Sequence, residues 1–299
     1  MSLGLGEIFS LSCAVCWAIA IILFKHSGET LSANSLNLFK NILGVLLLIP
    51  TAIVVEGFAI PDLNLFDWMI VLFSGYIGIA VADSWYFQAL RNLGAGRTAI
   101  VASLYSPFVI LLSIILLDEI LFFWQWFGFL FVIAGILLVV YQKHYKEIDK
   151  SQLYKGIAYA ASSVFLTALG VVMVKPVLEE GSFFWIVSLR LLAGVVGMFL
   201  YLVLRKRLVV SIKEFSHGQH NWVHLIIASI FATYLAMILW LAGFKYTDAS
   251  VASVLNETAN VFIVLLAWLL LGEELNKRKL LGVALTFIGV VIFIGVFNG

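Results

Sequence analysis

Charge is what this chain has least of. Only 12% of its 299 residues are Asp, Glu, Lys or Arg, and mean hydropathy is +1.09. A soluble globular domain carries about a quarter charged residues, so a water-surrounded domain of this size is excluded. A net charge of +1 leaves no basic surface for nucleic acid. Cysteine is nearly missing too. Cys13 and Cys16 form a CxxC inside an apolar run with no second Cys/His pair near enough in sequence to complete a zinc or redox site. Both therefore read as packing groups. His217, His220 and His224 belong to a polar loop running into an apolar stretch, with no acid or Cys to complete a metal shell. No cofactor and no metal are expected. There is no glycine-rich phosphate loop ending in Lys-Ser or Lys-Thr, which argues against ATP-driven work by this chain alone. No His accompanies an embedded Ser or Cys, so an intramembrane enzyme would lack a base for its nucleophile. The first apolar run has no Lys or Arg before it and is too long for a signal peptide, so it is expected to be a retained helix.

What the chain has in abundance is apolar length. Runs of about 20 residues, enough to cross roughly 30 Å of hydrocarbon, fall near 5–26, 33–55, 66–90, 96–117, 121–141, 153–176, 182–204, 221–244, 249–271 and 277–297. The expected fold is an all-α integral membrane protein with ten transmembrane helices, resident in a prokaryotic inner (cytoplasmic) membrane and surrounded by the lipid bilayer. Joins such as Asn92 to Ala95, Asp118 to Glu119 and Thr247 to Asp248 are so short that neighbouring spans should run antiparallel. Trp68, Trp124, Trp126, Trp185 and Trp222 fall near span ends, where an interfacial aromatic belt is expected.

The runs are two copies of one five-span unit, residues 1–145 and 153–299, joined by a linker at 146–152. Lys25, Lys40 and Gly44 are matched by Lys175, Arg190 and Gly194, each 150 residues on. Trp68, Ala95, Glu119, Gly128 and Gly135 are matched by Trp222, Ala249, Glu273, Gly282 and Gly289, each 154 residues on. The offset changes in the polar loop 205–221, and loops absorb insertions where packed helices do not. Because each copy has an odd number of spans, the second should enter the membrane from the opposite side, as an inverted repeat. Gly128/Gly135 and Gly282/Gly289 recur seven apart on spans five and ten. Small residues on one face allow close helix contact, either within the chain or across a homodimer.

Lys and Arg collect on one side. Fourteen of the 18 fall in the loops after spans one, three, five, seven and nine, whereas the termini and remaining loops hold only Lys175 and Lys245. By the positive-inside rule those five loops are cytoplasmic and both termini face out.

Four charges lie inside spans: Lys40, Asp83, Arg190 and Glu257. Each costs at least ~2.5 kcal/mol at the middle of a membrane. Counting from span ends at 1.5 Å per residue puts Lys40 and Asp83 roughly 10 Å below one surface, and Arg190 and Glu257 roughly 12 Å below the other. Opposite charges at equal depth predict two pairs, Lys40–Asp83 and Arg190–Glu257, which either clamp helices or serve a site. Asn256, Glu257 and Asn260 share one helix face, too many polar groups for one arginine to satisfy, so a wet cavity or polar ligand should face them. Their first-copy equivalents are Ala102, Ser103 and Ser106, so polarity departs from the repeat here. Ser103, Tyr105 and Ser106, with the helix-distorting Pro107, make the expected facing patch, although either serine can instead bond back to its own helix. Trp17, Tyr86, Tyr234 and Trp240 are further candidate lining residues; core packing explains them equally.

The chain resembles the drug/metabolite transporter (DMT) superfamily in its EamA-like ten-helix branch. The resemblance rests on Ser106-Pro107 through Leu117-Asp118-Glu119 to Gly128, and on Asn260-Val261 through Leu271-Gly272-Glu273 to Gly282. It also rests on a basic residue in the second span of each copy, Lys40 and Arg190, and on the aromatic-x-x-Ala-Leu pattern from Tyr86 to Leu90. It implies a secondary carrier with a central cavity formed by spans one, three, four, six, eight and nine. Such a carrier moves a small-molecule substrate, an amino acid, another metabolite or a drug, and proton coupling through Glu257 is one option. Three departures stand out. Val261 replaces the family's proline, Lys40 replaces the commoner arginine, and the charge count puts the termini outside where the family is often drawn with them inside. A non-transporting membrane subunit or receptor is the alternative.

Overall fold

A computed structural model describes residues 3–27, 31–141, 149–217, 220–272 and 274–295. Glu273, the side chains of Lys25 and His217, and residues 146–148 of the expected linker lie outside the described residues. All regular structure among them is helical. Among the described residues nine helices are long and apolar enough to cross a membrane, and the helix Lys277–Ile294 follows them as a further apolar segment. The protein is an integral, multi-pass membrane protein.

The spans begin and end close to the sequence expectation. Span one is Leu5–Ser27 and span two Ala33–Glu56, with the Ser32 hydroxyl accepting from the Ser35 amide at its start. Span three runs Leu65–Leu93, span five Phe123–Val140, span six Lys150–Glu180 and span seven Phe183–Leu204. Span six thus starts inside the region expected to be linker, with Asp149 as its cap. Asn64, Asn221 and Asn276 cap spans three, eight and ten by accepting from the amide three residues on.

Three features go beyond the sequence reading, although Pro107 hints at part of one. Spans three and eight each contain a π-helical stretch, Tyr76–Val81 and Ile230–Leu235. Spans four and nine are each broken in the middle. Ala95–Ala102 gives way to Tyr105–Leu116, and Ala249–Asn256 gives way to Ala259–Leu271. Both pairs of irregularities are 154 residues apart, the same offset as the sequence matches. Finally, the polar loop after span seven holds a short helix, Leu208–His217.

Span five packs along span ten, span three along span six, span one along span eight, and span two along span seven. The five–ten contact is made by the repeated glycines. A Cβ on Gly135 would lie 2.6 Å from the Gly282 carbonyl oxygen, and one on Gly289 would lie 2.6 Å from the Val132 nitrogen. This small-residue seam is therefore filled within the chain, and a second copy would have to meet other faces of these two spans.

The two ends of the bundle differ. Leu48, Val71, Leu112, Val174, Leu178, Ile186, Leu241 and Phe244 form one buried cluster. All belong to the halves of their spans that lead to the joins at residues 57–64, 117–122, 181–182 and 247–248. That end is also fastened by polar contacts. The Glu56 carboxylate accepts from the Phe184 and Trp185 amides at 3.1 and 3.0 Å, capping span seven. Glu119 accepts from the Ala249 and Ser250 amides at 2.6 and 3.0 Å, capping span nine. Lys175 donates to the Phe244 and Thr247 carbonyls, Lys245 to Leu178, and Thr247 to Glu7. Trp185, expected in the lipid interface, is buried in this joint and donates to the Gly57 carbonyl at 3.1 Å. An indole N–H needs an acceptor when buried, and the span two C-terminus supplies it. The opposite end, where spans two, four, six, eight and ten begin, holds two cavities.

Candidate functional site: a buried polar centre

The break in span nine sets the site. After Asn256 the chain makes tight turns in which the Thr258 amide donates to Leu255 and the Val261 amide to Thr258. Glu257 sits in the break itself. No proline is present, but the Asn260 side-chain amide donates to both the Glu257 carbonyl at 3.2 Å and the Glu257 carboxylate at 3.1 Å. The side chain of Asn260 thus satisfies groups that an interrupted helix leaves open. The matching break in span four lies next to it, with the Ser106 backbone amide facing the Glu257 carboxylate. Ser106 is fully buried and its hydroxyl has no hydrogen-bond partner. Ser103 instead bonds back to the Ile100 carbonyl at 2.7 Å, spending its hydroxyl on its own helix.

Arg190 is not paired with Glu257, contrary to the equal-depth expectation. Its guanidinium lies 5.2 Å from the centre of the Trp240 ring and packs against Gly78 and Gly170. A Cβ on Gly78 would stand 3.2 Å from the nearer terminal nitrogen. Glycine in the π stretch of span three and in span six makes the room. Equal depth fixes only one coordinate. Glu257, held by Asn260 and the Ser106 amide, occupies a different side of the centre. Arg190 is 1% exposed and none of its three guanidinium nitrogens has a hydrogen-bond partner. The groups whose charge reaches it are Tyr105 and Asp83. Tyr105 also meets Trp240, whose indole donates to the phenol oxygen at 3.3 Å.

Lys40 and Asp83 do approach, at 4.0 Å, with their side chains 18% and 32% exposed. The bond that orients Asp83 comes from a residue the sequence reading missed. The Asn37 side-chain amide donates to the Asp83 carboxylate at 2.7 Å, Asn41 donates to Asn37 at 3.1 Å, and Lys40 donates to Asn41 at 3.2 Å. Asn37 and Asn41 stand four apart on an apolar helix beside a charge, the same signal that singled out Asn256 and Asn260. Tyr86 lies within electrostatic reach of both Asp83 and Glu257, so it links the two charged clusters.

Spans three, four, seven, eight and nine thus bring Asp83, Tyr86, Tyr105, Ser106, Arg190, Trp240, Glu257 and Asn260 together. Asn256 joins them through span nine, with both side-chain polar atoms buried and unpartnered. Tyr234 shares a hydrogen bond of 2.9 Å with Thr51. Trp17, 37% exposed, has no hydrogen bond or ring contact to this centre among the described residues. Nor do those residues contain a cluster of His, Cys, Asp and Glu able to hold a metal ion. Chemically, the centre offers a cation under an aromatic face, a carboxylate, a free amide and a free hydroxyl, all out of contact with bulk water.

The comparisons agree with a transport fold. Three proteins of Archaeoglobus fulgidus (strain ATCC 49558 / DSM 4304 / JCM 9628 / NBRC 100126 / VC-16) are each called an uncharacterized transporter. One is 40% identical over 74 residues, which is 25% of this chain and 25% of that protein. A second is 24% identical over 74% of this chain and 75% of the relative. The third is 18% identical over 96% and 97%. The crystal structure of another protein superposes with a TM-score of 0.83 over 99% of this chain and 97% of that one, at 17% identity, a likeness of fold alone. The family model of the EamA-like transporters matches twice, over residues 4–141 and 154–295, and the chain belongs to that family, within the drug/metabolite transporter superfamily.

Proposed function

We propose that this membrane transporter is a secondary carrier that binds a small polar or zwitterionic solute at the Arg190–Glu257 centre and exposes it alternately to the two sides. The observation that carries this reading is the set of orphaned polar atoms. Three guanidinium nitrogens of Arg190, both polar atoms of the Asn256 side chain and the Ser106 hydroxyl are buried without partners in an apolar bundle. Leaving such groups unpaired costs about 1–3 kcal/mol each, more when charged. A solute with an anionic group for Arg190 and a cationic group for Glu257 would satisfy both ends at once. An amino acid or similar metabolite meets that description. The chain carries out no catalysis in this reading.

The two five-span units act as an inverted pair, and the end rich in Lys and Arg is cytoplasmic. The fastened end is then external and the cavity-bearing end internal, with the Arg190–Glu257 centre closed off from bulk water between them. Glu257 doubles as the proton site if transport is coupled. Proteoliposomes loaded with labelled amino acid and assayed with and without a pH gradient test this. Glu257→Gln should abolish the effect of the gradient. Unchanged flux and unchanged gradient dependence in that variant would remove Glu257 from the mechanism.

A further inference from the structure

Two cavities flank the short helix Leu208–His217 at the cavity-bearing end. One, of about 430 Å³, lies among the ends of spans two, three, six and seven, and its walls include Trp85, Gln88, Arg91, Tyr159, Arg205 and Arg207. That volume falls within the roughly 300–1,000 Å³ of small-molecule sites. The other, of about 250 Å³, is walled entirely by apolar side chains, among them Leu43, Leu46, Phe199, Ile212 and Phe215.

The arginines of the first cavity are placed by local structure. Span seven ends in a Schellman turn. The Arg207 amide donates to the Leu202 carbonyl and the Lys206 amide to Val203, both at 2.9 Å, with Lys206 at φ 53°. Arg205 and Arg207 therefore flank one tight turn. Arg205 lies over the Tyr201 ring at 5.7 Å, and Arg91 is steadied by Gln88. The cavity wall includes one carboxylate, Glu214, and it is engaged elsewhere. It accepts from the Ser32 amide at 2.9 Å and the Ser35 hydroxyl at 2.6 Å, at the start of span two. Among the described residues no carboxylate lies within ion-pair distance of Arg91, Arg205 or Arg207. Three positive groups thus share a cavity whose one carboxylate, Glu214, is engaged by Ser32 and Ser35, which leaves the wall net positive.

We propose that these two cavities are one site for an anionic phospholipid, with its phosphate among Arg91, Arg205 and Arg207 and an acyl chain along the apolar groove. Guanidinium forks match phosphate oxygens two at a time, and the interfacial aromatics suit the glycerol level. The groove is built on membrane-spanning helices, so hydrocarbon is its ordinary neighbour. A zwitterionic lipid would bring its own cation toward three arginines, so the site selects a net negative headgroup. The lipid would brace the helix Leu208–His217 against spans two and seven. This proposal does not draw on the transport reading.

The test is titration of the purified protein in neutral detergent with phosphatidylglycerol, phosphatidylcholine or glycerol 3-phosphate, read by thermal shift and native mass spectrometry. Saturable binding of phosphatidylglycerol is expected, with little response to the other two. The Arg205→Gln/Arg207→Gln variant should bind about 30-fold more weakly, from about 1 kcal/mol per basic residue facing an anionic headgroup. Both arginines are exposed, so the variant should stay folded, which gel filtration checks. Lys213→Gln, on the same helix but outside both cavity linings, should bind as wild type does. Equal binding of both lipids, unchanged binding by the double variant, or an equal loss in Lys213→Gln would overturn the proposal. Binding of glycerol 3-phosphate as tight as that of phosphatidylglycerol would overturn it in favour of a soluble anion.

Discussion

At the scale of the residue, Arg190 is the anomaly that organises the site. A guanidinium buried without a hydrogen-bond partner is a standing cost to the folded state, and the Trp240 face offsets only part of it. A residue kept for stability would behave oppositely to one kept for binding. Replacing Arg190 by Met should therefore leave the melting temperature in detergent unchanged or raise it, while substrate uptake by proteoliposomes falls by at least about tenfold, the worth of ~1.4 kcal/mol of lost binding. A melting point that falls several degrees with uptake intact would make Arg190 a structural residue. Arg190→Lys should not rescue, because an ammonium lacks the planar face that stacks on Trp240. The sequence revealed that Arg190 and Glu257 are out of place in an apolar span. It could not reveal that they are not partners, because depth along a helix says nothing about azimuth around the bundle. Asn37 and Asn41 are legible by their spacing of four, but an amide costs far less than a charge in an apolar span, so spacing alone does not mark them as partners of Asp83.

At the scale of the element, the fold was legible wherever composition carries it. Ten apolar runs, the glycines seven apart and the short joins all follow from hydropathy and small-residue spacing. The π stretches at Tyr76–Val81 and Ile230–Leu235 were not, because they alter hydrogen-bond register in a run whose side chains look like any other apolar helix. The break in span four was half-announced by Pro107. The one in span nine was not, because there a side-chain amide takes over what a proline would otherwise mark. The glycine seam gives a direct expectation. A methyl on Gly135 would press on the Gly282 carbonyl at 2.6 Å, so Gly135→Ala should destabilise by about 1–3 kcal/mol, read as earlier unfolding in a denaturing-detergent titration. An unaltered transition would mean that spans five and ten slide apart easily. The short helix makes a second one. Partial burial tends to raise the Glu214 carboxyl, but hydrogen bonds from Ser35 and Ser32 outweigh it and hold it below its usual value. The folded-state pKa is thus depressed, so its contribution is present above the unfolded value near about 4.3 and fades as pH falls through the folded value. Glu214→Gln should melt below wild type at pH 7, with the gap closing as the pH falls below the usual carboxylate range and through the depressed folded-state value. A gap that persists or widens in acid would show that the Glu214 carboxylate contributes nothing by its charge.

At the scale of the whole molecule, the asymmetry between the two ends is the feature that turns a helical bundle into a working device. One end joins residues 1–141 to residues 150–295 through Glu56, Glu119 and the Glu7–Thr247 contact, over a continuous apolar core. The other is held by Glu214 at the start of span two and by Arg278 on the Tyr141 carbonyl, and it opens into the basic cavity. Asp83 and Lys40, nearer that end, retain some exposure, while Arg190 and Glu257 behind them are sealed. Solute entering from the basic side would meet the Asn37–Asp83–Lys40 group first and the Arg190 centre last. Both orientation and access can be read with single cysteines in a variant lacking Cys13 and Cys16. A cysteine at Lys277, in the basic join between spans nine and ten, should react with an impermeant maleimide only in inside-out vesicles. One at Asp62, in the join between spans two and three, should react only in right-side-out vesicles. A cysteine at Ser84, in the cavity wall, should label from the same side as Lys277. Labelling of Ser84→Cys from the Asp62 side would mean that the fastened end opens at rest, and reversed labelling of the two joins would turn the molecule over in the membrane.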